Sequence, residues 1–338
     1  MSGIEDVALR AGVSKATVSR ALSGRGYVSE MARHKVQAAA SELGYVVSSN
    51  ASSLVTGRTN NVGVIIPVIN QWFFGSILEG VERKLLERGY DLMLYNLTKN
   101  TEERSRVFEY FLVRKRVDAI IAVTLEISPD EATSLVGLGK PLAGIGGPLA
   151  GIPTLGIDDV AAARFATEHL IALGHTRIMH VGGDSAEIMD FHVHSKRLQG
   201  FVDALSSAGL PFTADWFVAT RFDIPGGYAA GKQILGDPRR RPTAIFAATD
   251  EVAIGIILAA RELGISIPDD LSVIGIDNHP LTELFGLTSI AQDPADQGEQ
   301  AVDLVMRQLD DAAWRPPSIH ATVPARLVVR SSTSAPRR

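Results

Sequence analysis

The sequence predicts two kinds of fold in one chain: an all-α unit at the N-terminus, then a two-lobed α/β core built on doubly wound parallel sheets. Three observations predict it. The first 45 residues carry short amphipathic segments with helical spacing. From Asn61 onward, uninterrupted apolar runs alternate with amphipathic helices, which is typical of parallel sheets covered on both faces. These strand–helix units are too many for one compact sheet, so we expect two similar lobes.

Composition sets the outer limits of the interpretation. The chain has 338 residues, 46% of them hydrophobic and 21% charged, which is ordinary globular usage. It has no cysteine, which excludes disulfides and thiolate metal sites. No apolar run reaches transmembrane length, and the first residues lack the features of a secretory signal. We therefore expect a cytoplasmic protein with no membrane partner.

Charge is distributed unevenly along the chain. Residues 1–60 hold seven Lys and Arg against four Asp and Glu, whereas the rest of the chain holds 26 against 34. The net charge of the whole is −5. A basic end on an acidic body is the asymmetry expected when only that end meets phosphate groups.

The N-terminal helices are predicted from their end signals. Residues 5–10 form a short helix that ends at Gly12, where the chain needs a left-handed turn. Ser14 is placed to cap a second helix with an apolar back, and a third helix covers roughly residues 29–43. Helix, glycine-containing turn and helix is the geometry of the helix-turn-helix, although a small helical bundle of another kind has the same spacing.

The core elements follow in order along the chain. The predicted strands are six apolar runs: residues 62–66, 91–95, 119–123, 178–181, 244–247 and 272–276. Each has a neighbouring amphipathic helix, and the first three are followed by residues 73–88, 101–114 and 129–138. A Gly/Pro-rich stretch, residues 144–153, precedes the expected crossing between the lobes.

Residues 12–22 read GVSKATVSRAL. This exact sequence is a more specific signal than the spacing of its apolar residues, which other helical bundles share. Residues 4–29 closely resemble the opening D-V-A-x-x-A-G-V-S-x-x-T-V-S-R-x-L of the LacI/GalR (lactose-repressor) family of bacterial transcription regulators. The resemblance continues in four further blocks: residues 28–45, 62–67, 168–175 and 275–278. It implies three parts: a helix-turn-helix headpiece (1–48), a hinge helix and linker (49–60), and a periplasmic-binding-protein-like effector-binding and dimerisation core (61–330). The last residues, 331–338, are polar, and we expect them to form a disordered tail. The core divides into an N-lobe (61–159 and 292–321) and a C-lobe (160–291 and 322–330).

The resemblance also implies roles at the DNA. Lys15, Ala16 and Arg20 stand where the family reads base edges, and arginine can bond guanine bidentately. Ser14, Thr17 and Ser19 are interpreted as phosphate or capping contacts. Leu54 corresponds to the hinge leucine that wedges into the minor groove. Because Ser52 stands in the place of the family's arginine and the usual proline is absent, we expect a hinge helix that is labile without DNA.

A second set of residues points to a ligand. Doubly wound sheets bind ligands beyond the carboxyl ends of their strands, and in two lobes those ends face each other across a cleft. Arginine, aspartate and aromatic rings together suit a neutral polyol. The resemblance assigns effector contacts to positions matching Phe73, Phe74, Arg197, Phe222, Thr249 and Asp277. Phe191 stands where purine-binding members have arginine, which disfavours a purine.

These inferences predict a sequence-specific transcriptional regulator, a repressor of carbohydrate uptake or catabolism genes controlled by a small sugar or sugar derivative. A homodimer on a pseudo-palindromic operator is expected, since one headpiece offers few base contacts. The main alternative is a sugar-binding protein of a transporter, which has no use for residues 1–58. An enzyme is a further alternative, but no catalytic, cofactor or metal motif is visible, so none of these is expected. The effector, the direction of its effect, the operator, the target genes and dimer versus tetramer stay open.

Overall fold

The computed structural model describes residues 3–23, 26–45, 57–97, 101–108, 116–125, 127–183, 192–316 and 319–337. The chain divides into two compact units. One forms within the first 60 residues, and the other begins at Asn61 and contains the α/β core.

The N-terminal unit is a cluster of short helices, α1 (Ile4–Ala11), α2 (Lys15–Ser23) and α3 (Glu30–Glu42). Gly12 ends α1 in the left-handed region at φ 66°, as its position in the sequence predicts. Ser29 caps α3 by accepting a hydrogen bond from the Ala32 amide at 3.3 Å. The core of this unit consists of small and β-branched side chains: Val7, Ala8, Ala11, Val18, Ala21, Val36, Ala39 and Ala40.

The first lobe of the α/β core contains a six-stranded sheet in the order β11-β5-β4-β3-β1-β2, in which every neighbouring pair is parallel. Its strands are β1 (Asn61–Ile66), β2 (Asp91–Asn96), β3 (Ala119–Val123), β4 (Leu142–Ile145), β5 (Thr154–Gly156) and β11 (His320–Thr322). The helices of this part of the described chain are α4 (Trp72–Glu87), α5 (Thr101–Arg106), α6 (Pro129–Gly137) and α12 (Pro294–Asp310).

The second lobe contains a six-stranded sheet in the order β12-β10-β9-β8-β6-β7. Its strands are β6 (Ile178–Gly182), β7 (Phe217–Ala219), β8 (Ala244–Ala247), β9 (Ser272–Asp277), β10 (Thr288–Ala291) and β12 (Arg326–Val328), the last antiparallel to β10. Its helices are α7 (Asp159–Ala172), α8 (Val193–Ser207), α9 (Ile224–Leu235), α10 (Asp250–Glu262) and α11 (Thr282–Phe285).

Both faces of the second sheet are covered by helices, which explains its uninterrupted apolar strands. Ala244 and Phe246 pack in the same cluster as α7 and α8, whereas Ile245 and Ala247 pack with α9 and α10. Because successive strand residues point to opposite faces, β8 needs an apolar residue at every position. The predicted fold class, helices at the N-terminus and two doubly wound lobes behind them, is confirmed.

The chain passes between the two sheets after β5, after β10 and between β11 and β12. Each passage begins near the carboxyl end of a strand that reaches the space between the lobes. The two lobes therefore share several connections, and their facing edges are held close together.

The predicted disordered tail is wrong for the described residues 331–337. Ser332 is buried, its carbonyl accepts from the Val273 amide at 2.8 Å, and its hydroxyl oxygen accepts from the Thr288 amide at 2.8 Å. The Ser334 carbonyl accepts a hydrogen bond from His175 Nε2 at 2.8 Å. Polar composition suggested solvent, but these residues satisfy backbone groups of β9 and its neighbours that water cannot reach.

In the described parts of the chain, no helix is both long and apolar enough to cross a membrane.

Candidate nucleic-acid interface and ligand cavity

Helix α2 presents one apolar and one polar face. Val18 is fully buried, whereas Lys15, Ala16, Ser19 and Arg20 are exposed and Thr17 is half-buried. Positions i, i+1, i+4 and i+5 of a helix lie on one side, so the predicted base-reading residues share the solvent-facing surface. A helix with an apolar back and long donors in front can enter a major groove.

Ser14 and Thr17 make the capping contacts that the sequence suggested. The Thr17 amide donates to Ser14 Oγ at 3.1 Å, and the two side-chain oxygens are 2.9 Å apart. These bonds satisfy an amide at the start of α2, which otherwise has no partner within the helix.

Ion pairs also form within the N-terminal unit. Lys15 Nζ pairs with Glu5 of α1, and Arg10 pairs with Glu42 of α3. The sequence alone did not predict the contact between Glu5 and Lys15. The carboxylate of Glu5 thus lies beside a predicted base-reading cation.

Leu54 and the hinge helix lie outside the residues that the structure describes. Gly57 follows them with φ 68°, in the left-handed region. The predicted role of Leu54 therefore stays a prediction.

The predicted effector residues line one cavity of about 700 Å³, its solvent-facing mouth included. Side chains from both lobes contribute to it, and many of them lie at or shortly after the carboxyl end of a strand. The predicted members are Phe73, Phe74, Arg197, Phe222, Thr249 and Asp277. The members that the prediction missed include Gln71, Thr124, Asp159, Glu251, Gln292 and Gln297.

Arg197 is buried and is held by partners of its own lobe. Its Nε and Nη2 atoms both lie 2.9 Å from Asp159 Oδ1, and Nη1 donates to the Ala248 carbonyl. A buried guanidinium needs such partners, since an unpaired charge inside a protein is costly. Asp159, which the sequence did not single out, is therefore a carboxylate that holds Arg197 in place.

Asp277 ends β9 and is buried at φ 125°, in the left-handed region. Its Oδ1 accepts from Gln292 Nε2 at 2.7 Å, and Gln292 Oε1 accepts from Gln297 Nε2 at 3.0 Å. Burial raises the pKa of Asp277 to about 6, although the positive charge of Arg197 opposes the shift. A polar chain that crosses from the second lobe to α12 thus fixes this carboxyl group.

The turn from β8 into α10 carries three consecutive polar residues with different roles. Thr249 caps α10 by accepting from the Val252 amide at 3.3 Å. Asp250 is fully buried, and its Oδ2 accepts from the His279 amide at 2.8 Å and from Ser289 Oγ at 2.9 Å. Burial and the nearby Asp277 raise the pKa of Asp250 well above its ordinary value.

Glu251 completes this turn and lies half-buried on the cavity wall. Burial, together with the carboxyl groups of Asp277 and Asp223, raises its pKa to about 7. An acidic residue in the first turn of a helix looks like an ordinary dipole contact in the sequence, so no local signal separated Glu251 from other helix-start acids.

Two contacts among the described residues join the lobes, and the first is made by residues that line the cavity. Gln71 Nε2 in the first lobe donates to the Phe222 carbonyl in the second at 3.3 Å. The ring of Trp72 lies 4.7 Å from the ring of His279, centroid to centroid. Both contacts depend on the lobes being close together, so they can respond to a ligand that changes the closure.

A helix-turn-helix unit joined to a two-lobed binding core defines a ligand-controlled DNA-binding transcriptional regulator. Residues 3–48 match the bacterial regulatory proteins of the lacI family, and residues 167–333 match the periplasmic binding protein-like domain. The chain belongs to the LacI family of bacterial transcriptional regulators.

Whole-length relatives agree with this assignment. The HTH-type transcriptional regulator DegA of Bacillus subtilis is 34% identical over 98% of both chains. The ribose operon repressor of Escherichia coli is 32% identical over 91% of this chain and 93% of its own. The transcriptional regulator CelR in complex with cellobiose has a TM-score of 0.71 and 28% identity, over 98% of this chain and 100% of its own. These relatives share the DNA-binding unit, which excludes the transporter alternative.

Proposed function

We propose that this regulator represses genes of carbohydrate uptake or catabolism and that a small carbohydrate in the interlobe cavity controls its affinity for the operator. The observation that carries the proposal is the cavity itself, where aromatic rings and buried polar side chains from both lobes meet. Rings cover the apolar face of a sugar, and fixed polar groups bond its hydroxyls. The names of the ribose operon repressor and of the CelR–cellobiose complex support a carbohydrate.

At the DNA, we assign base contacts to Lys15, Ala16 and Arg20. Ser14, Thr17 and Ser19 contact phosphates or cap the helix, and Leu54 enters the minor groove. The exposed face of α2 and the match of residues 3–48 to the family support the contacts at residues 14–20. Leu54 lies outside the described residues, and its support is the resemblance of the sequence to the family. Two copies of the chain on a pseudo-palindromic operator double the number of base contacts, in the cytoplasm where the DNA lies.

Control follows from differential binding to two closure states. A sugar that fits the closed lobes better shifts the equilibrium towards closure, by no more than its difference in affinity for the two states. The Gln71–Phe222 hydrogen bond is one contact that closure forms and opening breaks. We propose that closure changes the spacing of the two headpieces in the dimer and thereby changes the affinity for the operator.

The test is fluorescence anisotropy with DNA fragments that tile the region around the protein's own gene, at fixed salt. Monosaccharides and disaccharides are added to each bound fragment. We expect tight binding to one fragment and a change in that affinity with one sugar, whose direction shows whether the ligand releases or recruits the repressor. Equal, weak and salt-sensitive binding to every fragment, unaffected by any sugar, would contradict the proposal.

A further inference from the structure

The charges that line the cavity are unequal. Its charged side chains, among the described residues, are one arginine and three carboxylic acids: Arg197, Asp159, Glu251 and Asp277. The guanidinium of Arg197 and the carboxylate of Asp159 are bonded to each other, and Nη1 of the arginine is taken by the Ala248 carbonyl. The surplus on the cavity wall is therefore acidic.

Glu251 is the acidic residue on the cavity wall for which the described residues supply no cationic partner. In the described part of the chain its carboxylate has no hydrogen-bond donor and no ion pair, although the side chain is half-buried. The two charged groups that act on it are Asp277 and Asp223, both acidic. Asp223 has its own partner, since its Oδ2 lies 3.3 Å from Nε of the exposed Arg221. A half-buried carboxylate that has acidic neighbours, and no donor or ion pair among the described residues, favours a positive ligand group beside it.

Thr124 gives an independent sign of a ligand on the opposite lobe. It follows β3, lines the same cavity and is 7% exposed, with φ 44° in the left-handed region. Its hydroxyl oxygen is buried and has no hydrogen-bond partner among the described residues. A buried hydroxyl without a partner costs free energy, and a ligand hydroxyl that fills the cavity removes this cost.

We propose, on the basis of the proposed function, that the effector is an amino sugar whose protonated amine lies against the Glu251 carboxylate and whose ring hydroxyl bonds Thr124. Asp277 and its Gln292 partner lie on the same wall and accept further hydroxyl hydrogens. A sugar phosphate fits poorly, because the cationic side chain in the cavity is already neutralised by Asp159.

The experiment uses the full chain and three matched sugar series. Isothermal titration calorimetry measures the affinities of glucosamine, galactosamine and mannosamine. It compares each amine with its neutral parent sugar and with the 6-phosphate of the amine. We expect one amine to bind at least about tenfold tighter than its parent, which corresponds to about 1.4 kcal/mol, and its 6-phosphate to bind weakest.

Two variants assign the preference to residues. Glu251→Gln, which keeps the shape of the side chain, should lower the ratio of amine to parent affinity by about tenfold. Thr124→Val should weaken amine and parent by equal factors, because it removes a hydroxyl contact common to both. Glu283→Gln is the matched control, since it removes an exposed glutamate from the first turn of α11 in the same lobe, outside the cavity. Thermal melts show which variants remain folded.

Proton linkage gives a second readout. Lowering the pH from about 7 to about 5 protonates Glu251 and should weaken binding of the amine more than of its parent. Asp277, whose pKa of about 6 lies in the same range, is also protonated over this interval and stays in place in the variant. Glu251→Gln should therefore reduce the difference between the two pH profiles by the part that Glu251 contributes.

Several results would overturn the amine proposal: a parent or phosphate that binds tighter than its amine, no binding of any of the three amines at millimolar concentration, or an unchanged ratio in Glu251→Gln. A neutral sugar that binds and changes operator affinity would leave the proposed function intact. Binding of an amine with no effect on any DNA complex would support the cavity assignment and count against the proposed function.

Discussion

At the scale of single residues, the groups that a side chain contacts decide its role more than its residue type does. Arg197 and Arg20 are both arginines at positions expected to contact a ligand. Arg197 is buried and bonded to Asp159, which makes it part of the cavity wall. Arg20 is exposed on α2, where its guanidinium can reach a base edge.

Replacement of Arg20 tests the reading face. Arg20→Ala should cost about 1–3 kcal/mol of operator binding and relax the preference at one base pair, because a bidentate guanine contact is lost. Anisotropy with an operator series mutated one base pair at a time measures both effects. Lys35→Ala, which removes an exposed cation from α3, is the control and should leave the base preference as it was. An unaltered preference in Arg20→Ala would remove this residue from the reading face.

Glu5 should restrain DNA binding through its ion pair with Lys15. Glu5→Gln frees Lys15 and removes a carboxylate from a surface that approaches phosphates, so operator affinity should rise by up to about 1 kcal/mol. Glu42→Gln adds the same charge but frees Arg10 instead. Salt titrations of both variants separate the two effects. Equal gains in both variants would mean that overall charge is responsible and that the Lys15 contact is not.

Glu251 should make stability depend on pH in the absence of ligand. Its folded pKa of about 7 lies above the ordinary 4.5, so the folded protein binds the proton more tightly, and stability falls as the pH rises from about 4.5 to about 7. Glu251→Gln cannot titrate. It should match the wild type near pH 5 and exceed it by about 1–2 kcal/mol near pH 8, a value reduced for partial solvent exposure. Urea unfolding at both pH values measures this, and a constant difference would contradict it.

At the scale of elements, the turn from β8 into α10 combines three structural roles in three consecutive residues. Its three residues cap a helix, brace the end of β9 and line the cavity. The apolar strand β8 ends at the cleft, so the turn that follows it lies there. The Asp250 carboxyl group then fixes the backbone at His279 by accepting a hydrogen bond from its amide. The side chains of these three neighbouring residues point in different directions, so each contacts a different part of the site.

Asp250 should be structural, with a strong difference between two substitutions. Asp250→Ala removes the acceptor of the His279 amide and the Ser289 hydroxyl and should cost about 2–4 kcal/mol of unfolding free energy. Asp250→Asn keeps one acceptor oxygen and resembles the protonated acid that burial favours, so it should cost much less. Denaturant melts measure both. Equal losses would mean that the charged carboxylate is required.

At the scale of the whole molecule, the cavity couples the lobes because its walls come from both of them. Gln71 and Trp72 of one lobe contact Phe222 and His279 of the other. A ligand that bonds residues of both lobes favours the closed arrangement, in which these contacts form. Closure is thus the step at which ligand binding can reach the DNA-binding unit.

Gln71 should contribute to this coupling. Gln71→Ala removes one hydrogen bond between the lobes, worth about 0.5–1.5 kcal/mol, and should reduce the effect of the sugar on operator affinity by a corresponding factor. Gln300→Ala removes an amide that bonds Asp296 within α12 and is the control. Operator titrations with and without sugar measure the coupling. A full response in Gln71→Ala would show that this contact is not part of it.

The sequence by itself determined the helices of the N-terminal unit and the apolar strands, and its resemblance to the family gave the cavity positions of Arg197 and Asp277. The helices and strands depend on local signals: a cap at Ser14, a left-handed glycine at position 12, and the rule that parallel strands end at one edge. Such features need no knowledge of distant parts of the chain.

Only the tertiary structure decided which groups meet. Asp159 bonds Arg197 across 38 positions of sequence, Gln292 bonds Asp277, and the tail covers β9 through Ser332. Glu251 is left without a cation, because the cation in the cavity is bonded to Asp159. These outcomes follow from the burial of polar groups that must find partners in space, and the order of residues along the chain does not encode which partner is nearest.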